Sequence, residues 1–190
     1  RTYFIAFLRN GAGGGSFGRL FNKGTNECYL LEDANNNRFA FVQGTSGGAS
    51  LTQSYFSPSS GIGAVTGWHT LAVTMTASGS ALMYLDGVSQ SIATTNTYGV
   101  SATTQTSPFV LGNRTSDLAR VWNGQLGDLL IFDRVATNDE ILSLHNNQNQ
   151  IYKPTSRRLW VVGAGGGAAA LAGNATAQAS ATGSLTTAIP

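Results

Sequence analysis

From Arg1 to about Val162 the chain alternates short apolar runs with clusters of Gly, Ser, Asn and Thr, which is the punctuation of an all-β protein. The spacing predicts strands over 3–8, 19–22, 28–32, 38–43, 49–54, 69–76, 81–85, 88–94, 109–111, 125–132 and 158–162. Over 69–76, Leu71, Val73 and Met75 share one side and Thr70, Thr74 and Thr76 the other. That period of two predicts a strand with one face in the core and one in water. Asp86-Gly87 joins two of the runs and accepts positive φ at both turn positions, so it predicts a type I′ hairpin. One helix interrupts the pattern: Thr137 and Glu140 have the spacing of a capping box, and Ile141, Leu144 and His145 then share a face. The acidic pair Asp139 and Glu140 suits the positive end of that helix, which accounts for it without a catalytic role.

After Val162 the chain reads GAGGGAAALAGNATAQASATGSLTTAIP, with no charge and no aromatic ring. Such a segment buries too little to order alone. The expected organisation is one sandwich over 1–162 and a low-complexity arm or linker over 163–190, ordered against neighbouring subunits. Length and the 42% apolar content suffice for one sizeable core.

Charge narrows the function. Only 11% of residues are charged, and between Arg38 and Arg114 the single formal charge is Asp86. The basic residues behind the net +2 are spread along the chain without a stripe, so a nucleic-acid partner is not expected. Cys28 is the only cysteine, which excludes an intrachain disulfide and a thiolate metal cluster. No apolar run approaches the roughly 18–20 residues that span a bilayer, so no membrane partner is expected. The chain opens without Met, as a fragment or processed product would.

In order, Gly67-Trp68-His69-Thr70-Leu71-Ala72-Val73-Thr74, Met83-Tyr84-Leu85-Asp86-Gly87, Val110-Leu111-Gly112-Asn113, Trp122 through Phe132 and Asp139-Glu140-Ile141 resemble the central signature of laminin G-like and concanavalin A-like domains. The resemblance implies a jelly roll of two antiparallel sheets with one short helix, in a family that binds glycans, proteins or calcium or serves as a structural module. It places Trp68 at a strand entrance with its ring in the core edge, and Tyr84 within the hairpin. Residues 144–160, LHNNQNQIYKPTSRRLW, are similar to the end of such domains in tailed-phage and prophage virion proteins, although Gln148 and Asn149 stand where that pattern has Pro and Trp. The Ala/Gly/Thr tail resembles repeats that follow such domains there.

Glycoside hydrolysis needs two carboxylates facing each other across a sugar. The acidic triad that glucanases of this fold carry on one strand is missing, because Glu27, Glu32, Asp33, Asp117, Asp128 and Asp133 lie on different segments. His69 and His145 have no nucleophile motif beside them, and the Gly-rich run 11–18 lacks the Lys-Ser/Thr of a phosphate loop and reads as a flexible loop. No catalytic residue is assigned. Calcium is the one cofactor the resemblance suggests, with Asp33, Asn35 and Asp117 as candidate ligands, although Asn35–Asn37 also suits a turn. For glycan binding, Trp122, Tyr55, Phe56 and Tyr98 lie in or near expected loops where rings can stack on sugars, with Asn113 to bond hydroxyls. The expected function is a non-enzymatic virion structural, decoration or fibre module of a tailed phage. Its partners are other virion proteins or further copies through 163–190, and a surface glycan. The alternative is a carbohydrate-binding module of a secreted bacterial protein.

Overall fold

Each strand predicted between residues 3 and 132 has a counterpart in a sheet. The structure is a computed structural model that describes residues 1–24, 27–44, 51–75, 81–95, 107–114 and 116–147, with the short segments 161–162 and 168–169. The strands are β1 (Thr2–Arg9), β2 (Arg19–Lys23), β3 (Cys28–Asp33), β4 (Arg38–Gly44), β5 (Leu51–Phe56), β6 (Gly67–Thr74), β7 (Leu82–Leu85), β8 (Val88–Ser89), β9 (Ala93–Thr95), β10 (Phe109–Leu111) and β11 (Gly124–Phe132), and the helix is α1 (Asn138–Asn146). They form two antiparallel sheets, ordered β11-β1-β6-β7-β8 and β10-β2-β3-β4-β5-β9. This is the expected two-sheet jelly roll. The chain divides into two compact units, Arg1–Gln148 and Asn149–Pro190. In the second, β12 (Val161–Val162) pairs with β13 (Ala168–Ala169); the rest of the tail, and the start of the strand expected at 158–162, lie outside the described residues.

The core lies between the sheets. Alternate residues Tyr3, Ile5 and Phe7 of β1 meet Phe21, Leu30, Phe39 and Phe41 from the opposite sheet, all at most 3% exposed. Tyr3 stacks on Phe21 at 5.0 Å, and Phe7 meets Phe39 edge-on at 5.6 Å, the offset and T-shaped geometries that ring quadrupoles favour.

Two expectations change here. The threonine face of β6 is not in water: Thr70, Ala72 and Thr74 are at most 2% exposed. With Phe4 and Tyr84 this face supports a second apolar layer under Ala136 and Ile141. The helix docks because the small side chains leave room, and its polar partners are met: Thr2 Oγ1 donates to Arg134 O at 2.8 Å and accepts from Ala136 N, while Thr70 Oγ1 bonds His145 Nδ1 at 2.9 Å. The run 88–94 is also two strands. Val88–Ser89 closes the hairpin on β7, and after Ile92 packs against the core Ala93–Thr95 joins β5 in the other sheet.

The local chemistry read from the sequence holds. Asp86 and Gly87 have φ of 53° and 78°, both positive as a type I′ turn requires. Both capping-box bonds form, Glu140 N to Thr137 Oγ1 at 3.3 Å and Thr137 N to Glu140 Oε2 at 2.8 Å. Hydrogen bonds from the Arg134 guanidinium, and then from the Thr137 amide, hold the Glu140 carboxyl down to about 2. For a carboxyl lowered in this way, the stabilising contribution is complete above its ordinary value of 4.5 and is lost as pH falls through about 2. NMR shifts of α1 are therefore expected to move toward the frayed state over that window, with Glu140→Gln removing the transition. In the core, Phe7→Ala is expected to cost about 3–5 kcal/mol in urea unfolding.

Candidate functional site

Strand alternation and register build one functional face. On β3 the even positions Cys28, Leu30 and Glu32 point inward, which leaves Tyr29, Leu31 and Asp33 on the outer side of the six-stranded sheet. Register sets Tyr29 opposite Val42, Leu31 opposite Ala40 and Asp33 opposite Arg38, and then Val42 opposite Gln53 and Ala40 opposite Tyr55. Arg19 of β2 lies across from Leu31. The result is an apolar floor of Leu31, Ala40 and Val42 flanked by Phe17, Tyr29 and Tyr55.

Guanidinium groups lie over these rings. Arg19 Cζ is 3.7 Å from the Tyr29 centroid, Arg38 Cζ 4.1 Å from Tyr55 and Arg120 Cζ 4.9 Å from Phe17. All are within the range of cation–π attraction. Together with Arg114 they line an open groove of about 570 Å³ in which four arginines meet the single carboxylate Asp33. Four basic residues that look scattered in the sequence are gathered by the fold at this face. Arg38 pairs with Asp33 at 2.9 Å, Arg114 Nε with Asp117 at 2.8 Å, and Arg120 Nη1 donates to Gly15 O at 2.9 Å.

The groove rim is held from inside the sandwich. Arg9 of β1 meets Glu32 of β3 at 2.6 Å, with side-chain exposures of 9% and 0%, and the second Glu32 oxygen accepts from Gly13 N. That carboxylate pins the Gly-rich run that delivers Phe17 and Arg19. The run is not the flexible loop expected: a Cβ on Gly13 or Gly14 would collide with the backbone of Gly18, Ala119 or Val121. Small residues are needed because two loops pass at backbone contact, joined by Gly14 N to Val121 O at 2.8 Å and Arg19 N to Arg120 O at 2.9 Å.

The structure places the candidates of the sequence differently. Trp122 is 5% exposed, with its ring edge-on to Phe7 and its Nε1 donating to Leu8 O at 3.1 Å, so it is a core residue and its ring does not reach a ligand. Phe56 is likewise in the core, against Phe39. Asn113 spends its amide on its own loop: Oδ1 accepts from Arg114 N and Arg120 N, and Nδ2 donates to Leu118 O. It positions Arg114 and Arg120 instead of meeting a ligand. Tyr55 does stand on the outer face, half-buried under Arg38, and Tyr98 lies outside the described residues. Trp68 reverses its expected role. It is 52% exposed on the outer side of the five-stranded sheet, beside Gly127, beyond the layer that α1 covers.

Asp33 and Asp117 are each taken by an arginine, Asp33 also accepts from Asn36, and Asn35 is exposed. A donor set already neutralised by guanidinium groups does not fit a calcium ion, which needs several free oxygens at once. Among the described residues no cluster of three or more His, Cys, Asp or Glu side chains has a metal-holding arrangement. Arg19, Tyr29, Arg38 and Arg120 were missed as site residues. The alternation at 29, 31 and 33 and at 38, 40 and 42 carries the signal, but which side is covered follows only from pairing.

The model of a laminin G-like family described as the concanavalin A-like lectin/glucanases superfamily matches residues 4–142. Comparison with curated proteins gives no match. Among solved structures, the CBM40 of Ruminococcus gnavus IT-sialidase bound to α2,3-sialyllactose is 14% identical, with TM-score 0.56 over 76% of this chain and 81% of that one. A receptor-binding domain is 16% identical, with TM-score 0.57 over 84% of this chain and 39% of that one. The receptor-binding domain of botulinum neurotoxin C/D mosaic serotype is 14% identical, with TM-score 0.53 over 78% and 36%. At these identities the likeness is one of fold.

Glu32→Ala strands the buried Arg9 charge and the Gly13 amide, and is expected to cost about 3–5 kcal/mol in urea unfolding, whereas the double change Arg9→Met with Glu32→Leu costs much less.

Proposed function

The chain belongs to the concanavalin A-like lectin/glucanase superfamily, and from that premise we propose that it is a non-catalytic binding module that holds a glycan on the outer face of its six-stranded sheet. The groove carries this reading. Its volume of about 570 Å³ is that of a small-ligand site, and its lining joins rings to hydrogen-bonding heads. Tyr29 and Phe17, each with a guanidinium over its ring, offer apolar edges for the C–H surface of a sugar, and Arg38, Gln53 and Asp33 offer donors and acceptors for its hydroxyls.

The similar folds support a binding role: one is described as a carbohydrate-binding module in complex with sialyllactose, and others as receptor-binding domains. The carboxylates favour it too. Glu27, Glu32, Asp33, Asp86, Asp117 and Glu140 are each engaged by a basic side chain, an arrangement suited to structure more than to proton transfer. The mode uses no metal. No helix among the described residues is long and apolar enough to cross a membrane, and the reading places the module outside the cell. The carbohydrate-binding alternative thus moves ahead of the phage-virion reading, which rests on the likeness of 144–160 and of the tail.

A glycan array followed by titration calorimetry tests this. Binding to at least one glycan is expected, weakened about tenfold or more by Tyr29→Ala through lost ring contact and loss of the support under Arg19, with the glycan recovered uncleaved. Binding that survives Tyr29→Ala and Gln53→Trp unchanged removes the groove from the proposal, and silence across the array removes the function.

A further inference from the structure

Resting on the glycan-binding reading, we propose that this groove selects glycans bearing an acidic group, a carboxylate or a sulfate ester, and that Arg19 supplies the charge that selects them. Arg19 is 7% exposed, and its Nε and Nη1 are buried without a hydrogen-bond partner. No other buried side-chain nitrogen or oxygen among the described residues stands in that position. It lies over the Tyr29 ring, and no carboxylate pairs with it among the described residues.

The neighbouring arginines differ. Arg38 and Arg114 hold carboxylates, and Arg120 is committed to backbone carbonyls. A cation removed from water without a counter-ion is costly, and an anion brought beside it in a poorly hydrated groove recovers much of that cost. Burial pulls the Arg19 guanidinium down to about 10; Tyr29 opposes the shift, and the charges of Arg114 and Arg120 add to it. Arg19 therefore stays cationic at neutral pH, in a field that its neighbours make more positive. A neutral sugar makes no use of that surplus charge. The aromatic face beneath it and the groove's modest volume favour an acidic sugar over an extended polyanion, which would need a basic track.

The test is an array that holds neutral oligosaccharides beside the same chains carrying sialic acid, uronic acid or sulfate, read at about 0.05 and 0.5 M salt. Acidic members are expected to bind at least about tenfold tighter than their neutral parents at low salt, the worth of one charge-assisted hydrogen bond. Arg19→Met should abolish that preference, bringing acidic members to the affinity of their neutral parents in the same variant, and the carboxylate and sulfate arms show which anion is preferred. Arg114→Gln, on the half-buried rim, keeps the test open if Arg19→Met does not fold, and should cut the preference several-fold. Neutral glycans bound as tightly as acidic ones, or a preference unchanged in folded Arg19→Met, overturns the inference and leaves the glycan reading standing. No binding of either class overturns both.

Discussion

The ion pair between Arg9 and Glu32 is the constraint on which the rest of the molecule turns. It joins one strand of each sheet at a point where both side chains are almost fully removed from water. Removing either partner would leave a charge buried at large cost, so the pair ties the two sheets together at that end. The remaining Glu32 oxygen holds Gly13, and through it the run that delivers Phe17 and Arg19 to the outer face. A buried carboxylate thus acts on the surface opposite the core, through backbone it never leaves.

The five-stranded sheet is packed along its inner face and covered in part on its outer one. Its inner side packs ring against ring with the other sheet, and its outer side lies under α1, where Phe4, Ala72, Tyr84 and Ile141 form a layer of their own. Among the described residues no helix lies over the six-stranded sheet. Its outer face keeps an apolar floor, Leu31, Ala40 and Val42, covered among the described residues by rings and guanidinium stems. Long arginine side chains suit such a face because they cover apolar area while keeping charge at the rim. That asymmetry sets the two outer faces apart: α1 covers part of one, and among the described residues arginines and rings cover the other.

The legible part of this protein was whatever depends on neighbours in sequence. The Asp86-Gly87 turn and the Thr137–Glu140 capping box formed as read, because a few adjacent dihedrals and one side-chain bond decide them. The two-sheet fold was legible as well, from alternation and from the ordered motifs shared with the family. Single-strand alternation misled at β6: threonine reads as a wet face, yet Thr70 and Thr74 are buried, since a hydroxyl with a bonded partner is tolerated under a docked helix.

The site was decided by tertiary structure. Trp122 sits in a sequence context that reads as a loop, and only the approach of Phe7 and Leu8 from a strand more than a hundred residues earlier makes it core. Arg19, Arg38, Arg114 and Arg120 are dispersed along the chain, and no local rule groups them; the cross-strand register of β2 to β5 and the Asn113 loop bring them to one groove. By itself the sequence determined the strands, the turn, the helix cap and the class of fold, because those follow from periodicity and short-range bonding. Which face is covered and which charges meet depend on contacts between distant segments, and those exist only once the two sheets have closed on each other.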